Sequence, residues 1–178
     1  MILPGSVFSL LFLFLLVSSI LSSHAAIPDY LRKELVLERL PFCTDFAWPD
    51  DTTMLVALKM GIVYRFTLNN DNNQWTNRQI ALDLRNVTCA HGEHGLGALT
   101  YSAEFGVYLY YTHDVTQRCL ESTTQGPVNR LMRYQYNRNT GRLVQPQQLL
   151  QTPIVAHAFH DGGQMQFLNG LLYMGLGD

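Results

Sequence analysis

Gln164-Met165-Gln166-Phe167-Leu168-Asn169-Gly170-Leu171-Leu172-Tyr173-Met174-Gly175 is the stretch that decides the fold. Two short apolar and aromatic runs flank Asn-Gly, the dipeptide best suited to a two-residue hairpin turn because both positions accept positive φ. The stretch therefore predicts two antiparallel strands. Two earlier stretches share its form of strand, polar turn and apolar aromatic strand. They are Phe46-Ala47-Trp48-Pro49-Asp50-Asp51-Thr52-Thr53-Met54-Leu55-Val56 and Leu99-Thr100-Tyr101-Ser102-Ala103-Glu104-Phe105-Gly106-Val107-Tyr108-Leu109.

Working outward, the same pattern fills the gaps. Met54–Lys59 and Ile62–Leu68 flank Met60-Gly61, and Leu131–Tyr136 and Leu143–Leu150 flank Asn137-Arg138-Asn139-Thr140-Gly141. These are β-branched and aromatic runs separated by turn chemistry. No window of about 12 residues carries a 3.6-residue apolar period. Only the polar lead-in, 28–39, leaves room for one or two amphipathic turns. The repeat starts fall near residues 46, 100 and 166. Repeats of about 40–50 residues built from short strands mark a β-propeller, and longer loops stretch that period. The chain is thus expected to be all-β, with two to three blades of an incomplete propeller. Closure takes roughly four or more blades, so an open fan should expose sheet edges and associate. A compact β-sandwich with coincidentally similar hairpins is the other fold compatible with the pattern.

The chain has 178 residues and a formal net charge of -2 with both signs mixed. Without a basic stripe to pair with phosphates, nucleic acid is not an expected partner. Residues 1–25 read as a secretory signal peptide: Val7–Leu21 is almost unbroken apolar sequence, and Ser23-His24-Ala25 fits a cleavage site. That core is shorter than the ~20 residues a spanning helix needs, and no second apolar run follows. The mature chain is expected to be secreted, with a lead-in at 26–45 and the propeller part at 46–178. In that compartment Cys89 and Cys119, which bracket a hairpin-like stretch, are the expected disulfide. Cys43 is then left to a partner outside the chain or to a buried free thiol. Asn86-Val87-Thr88 is an N-glycosylation sequon.

The last segment holds the chemistry. His157-Ala158-Phe159-His160-Asp161-Gly162-Gly163 places a histidine beside two glycines at the mouth of the final hairpin. The run stops at Gly177-Asp178, and the expectation is a larger protein of which this is the first part. His160-Asp161-Gly162-Gly163-Gln164, followed by a strand pair ending Gly-x-Gly-Asp, resembles the His-Asn-Gly-Gly-Gln region of the soluble glucose/sorbosone dehydrogenases. Gly92-Glu93-His94-Gly95-Leu96-Gly97-Ala98-Leu99 resembles that family's Gly-Leu-Leu-Gly run, with Gly97-Ala98 in place of Leu-Gly. The family includes the pyrroloquinoline quinone (PQQ)-dependent aldose dehydrogenases and the hedgehog-interacting-protein-like proteins, and the resemblance runs from about Phe46 to Asp178.

The resemblance implies a six-bladed propeller and a set of roles. His160 would be the general base that takes the proton from a sugar's anomeric hydroxyl, as a neutral imidazole can near pH 7. Glu93 would line the same pocket, and Gly162 and Gly163 would let the flat PQQ approach the backbone. The family's PQQ-gripping cations and calcium ligands lie further along its chain. Asp161 stands where Asn is usual and could cap a turn. Phe159 stands where active enzymes can carry an acid. His91, His94 and His157 lack metal-ligand spacing, so no metal site is expected among them. Two functions stay open. One is a dehydrogenase acting on an aldose or small alcohol. The other is a non-catalytic module binding an extracellular protein or glycan, or else an inactive truncated fragment. Fold does not decide between them.

Overall fold

The computed structural model describes residues 34–116, 119, 124–155, 157, 159 and 161–177. The signal segment 1–25 lies outside the described residues, as does His160. Among the described residues, ten strands make three antiparallel sheets. The first contains β1 (Cys43–Asp50), β2 (Thr53–Leu58), β3 (Ile62–Asn69) and β4 (Gln74–Asp83). The second contains β5 (Leu96–Ser102), β6 (Gly106–His113), β7 (Val128–Asn137) and β8 (Arg142–Ile154). The third is the hairpin of β9 (Gly162–Leu168) and β10 (Leu171–Leu176).

Strands pair in chain order within every sheet, without the crossover of a Greek-key sandwich. The leading strands begin at residues 43, 96 and 162, close to the repeat starts read from the sequence. The architecture is two four-stranded propeller blades and the opening hairpin of a third. Asn169 and Gly170 both have positive φ, 52° and 77°, as a type I′ turn requires. Leu168 pairs with Leu171 across it.

Apolar runs rather than alternation arise because the middle strands are covered on both faces. Leu55, Ala57 and Val63 of the first sheet meet Leu99, Val107, Leu109 and Tyr111 of the second in one core. Tyr108, Tyr110 and Ala98 point the other way and meet Met165, Phe167 and Leu172 of the hairpin. The leading strands are also tied to each other. Thr44 Oγ1 donates to the Leu96 carbonyl at 2.8 Å, and the Leu99 N–H donates to Asp45 Oδ2 at 2.9 Å.

Some expectations change. Glu34–Leu40 form no helical turn. Instead, Leu37 and Leu40 pack as an irregular segment over Met54, Val56 and Phe66. β1 starts at Cys43, inside the expected lead-in. β4 was not legible as a strand, because as an edge strand it is mostly exposed and polar. β8 extends beyond Leu150 and contains a bulge at Gln145, φ 54°, before Pro146. An edge strand tolerates that proline because its outer N–H has no ladder partner.

Cys89 and Cys119 are bonded across the β5–β6 hairpin, with Cα atoms 5.1 Å apart. Cys43 is free and exposed, not buried. Partial desolvation, with the Asp45 charge, pushes its thiol up, away from the reactive thiolate. Asn86 is exposed in the turn between β4 and β5. No helix among the described residues is long and apolar enough to cross a membrane.

Candidate functional site

β6 places Tyr110 and Thr112 on the face toward the third sheet, two residues apart as strand geometry demands. β7 sets Asn129 directly opposite Thr112. The loop before β5 brings in His94, and the residue before β9 is Asp161. All four polar side chains, those of His94, Thr112, Asn129 and Asp161, are buried.

Burying polar groups is tolerated only when they are paired, and here they pair in series. Thr112 Oγ1 donates to Asn129 Oδ1 at 2.8 Å. That fixes the amide so that Asn129 Nδ2 donates to Asp161 Oδ1 at 3.0 Å. His94 Nδ1 meets Asp161 Oδ2 at 2.7 Å. A carboxylate only accepts, so the imidazole is the donor. The Tyr110 hydroxyl donates to the Asp161 carbonyl at 3.1 Å. Asp161 is therefore held at three atoms. Burial pushes the Tyr110 phenol up to about 12, and the neighbouring Asp161 charge adds to the rise.

A cleft of about 420 Å3 opens above this cluster. Tyr110, Asn129, Asp161 and Thr152 supply its polar wall, and Ile154, Val155 and Leu176 its apolar one. Phe159, 65% exposed, and His157 also line it. An apolar pocket with a few convergent polar groups suits a small ligand with hydroxyl groups.

The expected site residues are only partly brought together. His160 lies outside the described residues, between exposed Phe159 and buried Asp161. Glu93 is exposed and is not part of the cleft lining, whereas its neighbour His94 is fully buried. Gly162 and Gly163 open β9, and the fold itself needs both. A Cβ on Gly162 would sit 2.5 Å from the Gly177 nitrogen, and one on Gly163 2.8 Å from Tyr110 Cδ1. Asp161 does not cap a turn through its side chain; the carboxylate is taken by His94 and Asn129. His91 is exposed, with its carbonyl accepting from the His94 N–H at 2.9 Å, and no metal-ligating cluster occurs among the described residues.

His94, Asn129, Thr112 and Tyr110 escaped the sequence reading as site residues. For Tyr110, Thr112 and Asn129 the one signal is a polar atom at a core-facing position of an otherwise apolar strand, visible only once the faces are assigned; His94 sits in a loop and carries no such signal.

The chain superposes on a candidate oxidoreductase (glucose dehydrogenase) from Thermus thermophilus with a TM-score of 0.60 and 24% identity. It matches the soluble aldose sugar dehydrogenase of Escherichia coli, solved in the apo form, with a TM-score of 0.63 and 18% identity. A further glucose dehydrogenase gives 0.61 and 16%. Its fold is that of the sugar dehydrogenases. Each comparison covers 81% of this chain but only 39–40% of the other, so the chain spans about two-fifths of their length. No family model and no curated protein matches the sequence. At these identities the likeness to the sugar dehydrogenases is one of fold, and it fits two blades and part of a third.

Proposed function

We propose that the protein is a secreted, sugar dehydrogenase-like propeller protein that takes an aldose or related alcohol into the cleft beside β9. One observation carries this reading. The cleft pairs a hydrogen-bonding wall with an apolar one, and the residue that anchors its floor, Asp161, is bonded in the chain to His160. His160 is the proposed base, taking the hydroxyl proton as hydride leaves the anomeric carbon. Secretion rests on the apolar segment 1–25, and glycosylation at Asn86 on its exposure within the sequon.

PQQ is the hydride acceptor, with calcium, that the family resemblance implies. The described cleft residues do not by themselves fit that polyanionic quinone. Among the described residues no Lys or Arg lines the cleft, and Asp161 adds a carboxylate. The resemblance assigns the cationic grip and the calcium ligands to a later part of the family's chain.

The test is dye-coupled sugar oxidation by the full-length protein with added PQQ and calcium. His160→Gln keeps a hydrogen bond but cannot accept the proton, so turnover should fall by roughly 100- to 10,000-fold. Equal rates remove His160 as the base.

A second reading is favoured by Phe159. An exposed aromatic at the rim of the cleft, where an acid would assist catalysis, suits an extracellular binding module that holds a glycan or protein. Absence of wild-type oxidation of any aldose, together with no PQQ binding by calorimetry, selects that module or an inactive fragment.

A further inference from the structure

His94 is fully buried, and its Nδ1 is bonded to Asp161. Its Nε2, also buried, has no hydrogen-bond partner among the described residues. An apolar side chain would fill the same space without stranding Nε2, but it would leave the buried Asp161 Oδ2 without this donor. The imidazole at this position is therefore accounted for by its one bond, the bond to Asp161.

That bond differs from the others on Asp161. Asn129 and Tyr110 hold the residue from β7 and β6, both in the second sheet's interior. His94 holds it from the loop that leads into β5, the strand that lies against β9. It therefore fixes the start of the third blade from a second, independent direction. The atoms so fixed belong to the residue peptide-bonded to His160.

We propose that His94 is a positioning residue for the start of β9, acting through the Asp161 carboxylate. The claim rests on the dehydrogenase reading for its kinetic consequence, but not for its structural one.

Asn and Leu at this position separate the hydrogen bond from the packing. In His94→Asn, Nδ2 takes nearly the place of Nδ1 and can donate to Asp161. His94→Leu fills the site but cannot donate. Both lose part of the ring's packing. In the full-length protein, His94→Leu should lower kcat for sugar oxidation by about 10- to 100-fold, the range a misplaced reacting group produces. KM should stay within about threefold, because substrate contacts are retained. His94→Asn should recover most of kcat even where its melting temperature falls as far as that of His94→Leu. Equal kcat losses in the two variants, or no loss in either, overturn the proposal.

A second measurement does not require activity. Amide hydrogen exchange at Gly162 and Gly163 should accelerate by about tenfold or more in His94→Leu and stay near wild type in His94→Asn. If the wild type oxidises no sugar, the dehydrogenase reading fails while this difference still supports the positioning role. Equal exchange in all three proteins overturns the positioning role whether or not the enzyme is active.

Discussion

Asn129 Nδ2 donates to Asp161 Oδ1 at 3.0 Å, joining the second sheet to the start of the third. Because Thr112 holds the other end of the same amide, Asn129 cannot turn away without stranding two buried groups. Asn129→Leu should therefore cost about 2–4 kcal/mol, the scale for leaving a buried charged acceptor short of a donor. Asn129→Asp should cost more at neutral pH, since it sets a second carboxylate against Asp161. The like charge raises the new group's folded pKa, so the folded state gains a proton first and the deficit shrinks as pH falls. Urea midpoints of both variants at pH 7 and pH 5 check this. A deficit in Asn129→Asp that grows on acidification contradicts it.

Tyr110 makes a prediction at the alkaline end. Its phenol is pushed up to about 12, mainly by burial and next by the Asp161 charge, against an ordinary value of 10. Above pH 10 the unfolded chain has lost a proton that the folded protein keeps. Stability should then fall as pH rises from about 10 to 12, and Tyr110 should add no slope below that window. Tyrosinate absorbance should show Tyr110 ionising after the exposed tyrosines. Tyr110→Phe should reduce the alkaline slope without abolishing it, because burial also raises Tyr134 and Tyr111. An unchanged slope would place the Tyr110 phenol in solvent.

The disulfide closes a separation of 30 residues around the β5–β6 hairpin. Loop-closure entropy for that length is worth about 3–4 kcal/mol. Replacing Cys89 and Cys119 by Ala should lower stability by about that amount. Peptide mapping without reduction should recover the linked pair, with Cys43 in neither half. A Cys43-linked peptide contradicts the assignment.

How much of this was legible in the sequence depends on what each residue touches. The hairpin turn at Asn169-Gly170 is local, so its dipeptide announced it. The core strands were legible because burial on both faces leaves them apolar, as in Val107–Tyr111. β4 was hidden because an edge strand needs no apolar face, and Gln74–Arg78 has almost none. The polar cluster was hidden for a different reason. His94 and Asp161 are 67 residues apart and meet only when two blades pack, so no spacing rule connects them. Asp161 read as turn chemistry because its neighbours are glycines, yet its side chain reaches back to the preceding blade. Gly162 and Gly163 were read through the cofactor they would admit; the structure supplies backbone and ring contacts that require them in any case.

Gly163 separates those two reasons by experiment. Its φ is +119°, where L side chains are rarely found, and an added Cβ would lie 2.8 Å from Tyr110 Cδ1. Backbone strain of about 1–3 kcal/mol and overpacking of similar size both act against Gly163→Ala. The variant should lose about 2–5 kcal/mol in urea unfolding, with no cofactor present. Removing the ring relieves only the overpacking. In a Tyr110→Leu background, Gly163→Ala should therefore cost less, by about 1 kcal/mol or more, which a double-mutant cycle reads as coupling between the two positions. A Gly163→Ala protein as stable as wild type would mean that β9 shifts freely at its start and that the glycine serves ligand access alone. A large loss without coupling would assign the whole effect to backbone conformation and none to the Tyr110 contact.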